Sequence, residues 1–135
     1  MKKFLVSLDF SAVSQDVLEA AIDFARAFQG ELTLVHVVPD FEITEGAEAL
    51  ARELIAVCAG QVAQAGLTCS TEVLLGSPVK MIVEEARRIR ADYILMGSHG
   101  HGKLYSMVVG GTAQGVIKKT SCAVILLPPE NKAYD

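Results

Sequence analysis

At 135 residues, with 51 % hydrophobic residues and a mean hydropathy of +0.37, the chain has the length of one domain whose strands are covered on both faces by helices. A net charge of −4 and a pI near 5.3 exclude a general attraction for nucleic acid or anionic lipid. The three cysteines, Cys58, Cys69 and Cys122, are odd in number and lack C-x-x-C spacing, which excludes a disulfide framework and reads as reduced thiols in the core of a cytoplasmic protein.

Five apolar runs rich in β-branched residues alternate with segments of helical period, the pattern of repeated βαβ units and a parallel sheet. The first run, Phe4 to Leu8, follows two lysines but is halted by Asp9, too short and without the cleavage site of a secretory signal. Ser11 or Ser14 is expected to cap a helix that buries Val17, Leu18, Ala21, Phe24, Ala25 and Phe28 and stops at Gly30. The second run, Leu32 to Val38, ends at Pro39, and an acidic loop leads to a helix with Leu50, Leu54, Ile55, Cys58 and Val62 on its inner side, closed by Gly66. A third run, Thr68 to Leu75, precedes Gly76-Ser77-Pro78, where Ser77 is placed to cap and Pro78 to open a helix that turns Met81, Ile82, Ala86 and Ile89 inward. The fourth run, Asp92 to Met96, enters a glycine-rich stretch from Gly97 to Gly111, after which a helix reaches about Lys119 and a last run, Cys122 to Leu127, ends at Pro128-Pro129. One domain over residues 1–129 is expected, with a polar tail over 130–135.

In open parallel sheets ligands lie beyond the carboxyl ends of the strands, where the winding reverses. There the chain reads Gly97-Ser98-His99-Gly100, nine residues, then Gly110-Gly111-Thr112 at a helix start. Glycine lets a backbone approach phosphate closely, and a helix N-terminus supplies unpaired amides and a favourable dipole. No Asp or Glu occurs between Asp92 and Glu130, where average composition would place about four. The P-loop pattern fails in the same stretch, because Leu104 stands where a Mg²⁺-binding Ser or Thr is required. Asp9, at the end of strand one, has two readings: an acceptor for ribose hydroxyls across the crevice, or a carboxylate at the start of the first helix. His99 and His101 lack a third ligand for a metal, and His36 is expected to pack. Lys118 and Lys119 complement the dipole of the last helix, and Arg87, Arg88 and Arg90 read as a solvated helix end.

The spacing G-x-x-G, nine residues, G, together with Asp9-Phe10-Ser11, His36-Val37, Gly76-Ser77-Pro78 and Met96-Gly97-Ser98-His99-Gly100 in that order, resembles the ATP-binding branch of the universal stress protein family. The resemblance implies an α/β three-layer sandwich, a five-stranded parallel sheet in the order 3-2-1-4-5 of the adenine nucleotide alpha hydrolase-like type. It implies a homodimer through the last strand, Cys122 to Leu127, and ATP, with or without Mg²⁺, in the crevice of strands one and four, with AMP or ADP as alternatives. By position, Ser7, Leu8 and Val37 would meet adenine, Asp9 the ribose, and Gly97, His99, Gly100, Gly110, Gly111 and Thr112 the phosphates, with Met96 and Ser98 in the same segment. The family pattern has Ser or Thr where this chain has Gly111, which keeps the amide and loses a hydroxyl. The leading expectation is a regulatory ATP-binding module of the stress response, with a slow ATPase or phosphotransferase and a nucleotide-free dimeric scaffold as alternatives. The long apolar last strand, at a sheet edge, is by itself a motive for pairing with a second copy. A phosphoacceptor receiver domain is rejected, since Gly76 and Pro128 stand where it would need an Asp and a Lys.

Overall fold

The computed structural model describes residues 1–99 and 109–128; Gly100, His101 and the rest of the glycine-rich stretch to residue 108, Pro129 and the tail 130–135 lie outside the described residues. Five parallel strands form one sheet: β1 Lys3–Ser7, β2 Glu31–Val38, β3 Cys69–Leu75, β4 Tyr93–Gly97 and β5 Ala123–Leu127, in the order β3-β2-β1-β4-β5. Both the order and the parallel pairing agree with the expectation from sequence, and each strand falls within a residue or so of its apolar run.

The helices are α1 Ser14–Phe28, α2 Glu45–Gln64, α3 Pro78–Ile89 and α4 Gly111–Lys119. Alternation along each strand divides the core between the two faces of the sheet. Phe4, Val6, Leu8, Leu32, Leu34 and Leu95 pack with Val17, Leu18, Ala21 and Ala25 of α1 and Ile55 and Val62 of α2. Leu5, Val35, Ile94 and Met96 pack with Ile82, Val83 and Ala86 of α3 and Ala113 and Val116 of α4. The chain winds outward from β1 with its helices on one face, then crosses to β4 and winds the other way with helices on the opposite face. The reversal falls between β1 and β4, at the centre of the sheet.

Four local expectations are corrected. Phe28, Leu50 and Leu54 are 47, 55 and 37 % exposed, so the inner face of α2 is Ala51, Ile55 and Val62 alone, with Cys58 beside it. Neither Ser11 nor Ser14 caps α1 in the usual way; Ser77 does stand at the N-cap of α3, with Pro78 opening the helix, but its side chain makes no capping bond. The left-handed turn that ends α1 is taken by Gln29, φ 52°, rather than by Gly30. Arg88 is not merely solvated: its Nε donates to Oε1 of Glu85 at 2.9 Å and its other guanidinium nitrogen reaches Oε2, satisfying a carboxylate that is buried on α3. The sequence reading also passed over Thr44, whose Oγ1 accepts the amide of Ala47 at 3.0 Å and caps α2.

Candidate functional site

The crevice is built from the first residues beyond β1. Leu8 has left the strand, yet its amide still donates to the carbonyl of Val35 at 2.9 Å, which holds the chain level with β2. Asp9 follows, and its Oδ1 accepts the amide of Ser11 at 2.9 Å and the hydroxyl of Ser14 at 3.1 Å. The carboxylate therefore anchors the start of α1, so the helix-start reading of Asp9 is realised at one of its oxygens. Phe10 turns the chain from strand to helix at φ 60°, a region that non-glycine residues seldom occupy. Its ring stacks on His36 of β2 with centroids 4.3 Å apart. His36 Nδ1 lies 2.7 Å from the carbonyl oxygen of Leu8; a carbonyl can only accept, so Nδ1 carries the proton. Ser11 Oγ is buried and has no partner among the described residues.

Register aligns the sequence-predicted residues. β1 pairs with β2 through Ser7 and Val35, and with β4 through Val6 and Leu95. Carried beyond the strand ends, these offsets would bring Asp9 and Ser98, which follow β1 and β4, level with Val37 of β2, at the reversal of the winding. Ser7 follows Leu5 by two residues and Val37 follows Val35 by two, so both face the layer of α3 and α4. Leu8 and Met96 are buried in the two cores, leaving their backbones as the parts that reach the crevice.

The β4 side is organised by Ser98, which is 6 % exposed. Its amide donates to the carbonyl of Leu127 in β5 at 2.8 Å, its carbonyl accepts the amide of Gly110 at 2.6 Å, and its Oγ bonds to His99 Nδ1 at 2.9 Å. Ser98 and Gly110 thus spend their backbone groups on β5, on α4 and on each other, drawing the start of α4 down against β4. A Cβ on Gly110 would stand 3.0 Å from the Ser98 carbonyl oxygen, and one on Gly97 would stand 2.6 Å from Cγ1 of Val13. Packing therefore demands glycine at 97 and leaves little room for a side chain at 110, a reason the sequence did not reveal. Gly111 differs: a Cβ there meets nothing within 4 Å among the described residues.

The first intrahelical bond of α4 runs from the amide of Gln114 to the carbonyl of Gly110. The amides of Gly111, Thr112 and Ala113 accordingly have no carbonyl within the helix, and Gly111 and Thr112 are exposed. Together with the dipole and the acid-free sequence around it, this end of α4 suits an anion. Gly100 belongs to the same predicted set and lies outside the described residues. The residues that sequence reasoning missed are Val13 and Phe10, whose roles at the start of α1 emerge only once β4 and β2 lie beside it; Ser14, expected as a cap, instead donates to Asp9.

Comparison with known proteins places this architecture. The pattern of the universal stress protein family matches residues 1–128. Universal stress protein MJ0531 of Methanocaldococcus jannaschii is 32 % identical over 97 % of this chain and 84 % of its own length. The solved structure of hypothetical protein MJ0577 superposes with a TM-score of 0.90 at 26 % identity, covering 97 % of this chain and 98 % of that one. At the level of fold, a universal stress protein from Archaeoglobus fulgidus in complex with dAMP superposes with a TM-score of 0.77 at 22 % identity, over 93 % of this chain and 97 % of that one. A universal stress protein in complex with cAMP does so with a TM-score of 0.77 at 20 % identity, over 94 and 96 %. Sequence across the chain and a closely superposable backbone lead to the same assignment, and the chain belongs to the universal stress protein family.

Proposed function

We propose that the protein binds an adenine nucleotide, ATP foremost, in the crevice between β1 and β4, and acts as a dimeric regulatory module of a stress response. The observation that carries this reading is the hydrogen bond from Gly110 to Ser98 just past β4, which holds the open first turn of α4, with the amides of Gly111 and Thr112 lacking a helical partner, at the carboxyl end of a strand beside the reversal of winding. Ser7, Leu8 and Val37 form the wall for the base, Asp9 accepts from the ribose, and Gly97, His99, Gly100, Gly111 and Thr112 face the phosphates, while Met96, Ser98 and Gly110 hold that segment in shape. Binding of dAMP and cAMP by proteins of the same fold supports an adenine nucleotide as the ligand class. Fold likeness alone would not.

The regulatory reading is favoured over a slow ATPase or phosphotransferase because either reaction calls for a carboxylate near the terminal phosphate to orient water or hold Mg²⁺, and residues 93–129 contain none. Dimerisation is assigned to β5, which pairs with β4 on one side and is the last strand of the sheet on the other. Native mass spectrometry of the protein as purified, then after addition of ATP, tests both parts at once. A dimer that retains ATP without forming ADP supports the module; steady conversion to ADP supports the enzyme. A species that ignores ATP, ADP and AMP alike refutes nucleotide binding.

A further inference from the structure

Helix α2 carries a second apolar stripe that the fold leaves open. Ala51, Ile55 and Val62 face the sheet and are buried. Leu50, Leu54 and Val57, spaced i, i+4, i+7, lie about 100° further round the helix, and are 55, 37 and 62 % exposed. Just ahead of the helix, Phe41 in a single 3-10 turn, Asp40–Glu42, is 86 % exposed and Ile43 is 40 % exposed. Leu75, at the end of edge strand β3 and on the face that α2 covers, is 39 % exposed. Helix α1 meets α2 near the C-terminal end of α2, where Gln15 donates to Gln61 and Arg26 to the carbonyl of Ala65, so the stripe lies toward the other end. Apolar residues scattered singly over a surface are ordinary, whereas an aligned row marks an interaction face.

Charge selects the occupant. Residues 40–57 carry a net −4; Asp40 and Glu42 stand ahead of the stripe and Glu53 borders it, while Glu45, Glu48 and Arg52 lie round the other flank of α2. Arg52 is itself engaged by Glu48 at 3.3 Å. A second copy laid on this face would oppose two surfaces of the same sign, and an anionic membrane would be repelled in the same way. We infer that α2 is a docking surface for a basic amphipathic helix of a partner protein. The partner's apolar row lies along Leu50, Leu54 and Val57, and its lysines and arginines face the acidic segment. The inference is independent of the nucleotide reading and uses none of its residues.

The test titrates the full chain, with labelled Leu and Val methyls, against a synthetic peptide of Leu and Lys whose leucines fall at i, i+3, i+4, i+7. A Leu/Glu peptide of the same pattern and a scrambled Leu/Lys peptide are the controls. The expected result is a shift of the Leu50, Leu54 and Val57 methyls by the patterned Leu/Lys peptide, with affinity at least about tenfold above both controls. Leu54→Ser with Val57→Ser is expected to lower that affinity by about tenfold or more. Glu42→Lys with Glu53→Lys is expected to transfer the preference to the Leu/Glu peptide; this variant leaves the apolar row intact and decides the matter should the serine pair fail to fold. Equal affinity for the two patterned peptides, absence of binding by either, or perturbation confined to methyls elsewhere would overturn the inference. So would self-association that shifts the same three residues without peptide, which would identify a second copy as the occupant.

Discussion

Substituting Gly97 by Ala is expected to destabilise the fold by about 1–3 kcal/mol, through Val13. The new Cβ would stand 2.6 Å from Val13 Cγ1, whereas carbon atoms rest at about 3.5–4.0 Å, so one of them has to move by about 1 Å. Val13 has little room to yield. It is 6 % exposed, packs with Val17, Leu8 and Leu95, and is stiff at χ1 because it is β-branched. Movement of the loop the other way meets the carbonyl oxygen of His99, 3.2 Å from the same Cβ. Val13→Ala alone removes two methyl-sized groups at about 0.8 kcal/mol each and leaves part of a cavity, for about 2 kcal/mol in total. In the double variant the methyl of residue 97 occupies the space that Val13 gave up, so the loss should fall short of the sum by about 1–2 kcal/mol. Urea unfolding of the four proteins in the cycle measures this. Additivity within about 0.5 kcal/mol would refute the claim that Val13 dictates glycine at this position. Titrating the same proteins with ATP then separates two roles for Gly97. Affinity regained in the double variant would attribute its importance to packing; affinity still lost would attribute it to contact with the ligand.

Further outcomes are expected at the crevice and in the core. Gly111→Ser supplies the hydroxyl of the family pattern in open space, and isothermal titration should show ATP tightened by about 0.5–1.5 kcal/mol, roughly two- to twelvefold, with AMP unchanged; an equal gain for AMP would contradict the placement at the terminal phosphate. Asp9→Ala loses the acceptor for Ser11 and Ser14 and should lower stability by about 1–2 kcal/mol, while Asp9→Asn keeps an acceptor oxygen, stays within about 0.5 kcal/mol of the parent and still weakens nucleotide binding; thermal melts paired with ATP titration check the split. Burial raises the pKa of the Cys58 thiol, and burial followed by the proximity of Cys58 raises that of Cys69, so at neutral pH both should react with iodoacetamide more slowly than free cysteine, as mass spectrometry of the labelled sites will show. Because the folded state holds these protons more tightly than the unfolded chain, their contribution to stability is complete below the ordinary thiol pKa and is lost as pH climbs from there through the raised values. Removal of that alkaline loss by Cys58→Ala with Cys69→Ala is the check.

The sheet was legible because parallel strands covered on both faces must be apolar almost throughout, and the runs from Phe4, Leu32, Asp92 and Cys122 show it, while the edge strand after Thr68 is more polar and was marked by its β-branched residues and the Gly76-Ser77-Pro78 turn. Once the strands were placed, the reversal between β1 and β4 directed attention to Asp9 and the Gly97 segment, which follow the ends of those two paired strands. Leu50 and Leu54 were misjudged because a helical period groups all apolar residues of one broad sector. Two stripes about 100° apart read as one until β2 and β3 decide which of them is covered. The packing constraint on Gly97 was invisible for a different reason. Nothing local in Gly97-Ser98 records that Val13, far away in sequence, would press against it. Likewise the engagement of Asp9 by Ser14, and of Gly110 by Ser98, depends on how tightly two turns close, which composition and spacing do not encode.

Ser98 joins three parts of the molecule within two backbone hydrogen bonds: the end of strand β4, the outermost strand through Leu127, and the first turn of α4 through Gly110. A pull on that turn is therefore also a pull on the sheet's rim. Whatever settles over the amides of Gly111 and Thr112 has a short mechanical route to the margin where another molecule would attach, and it runs through a residue whose own side chain need never touch either visitor.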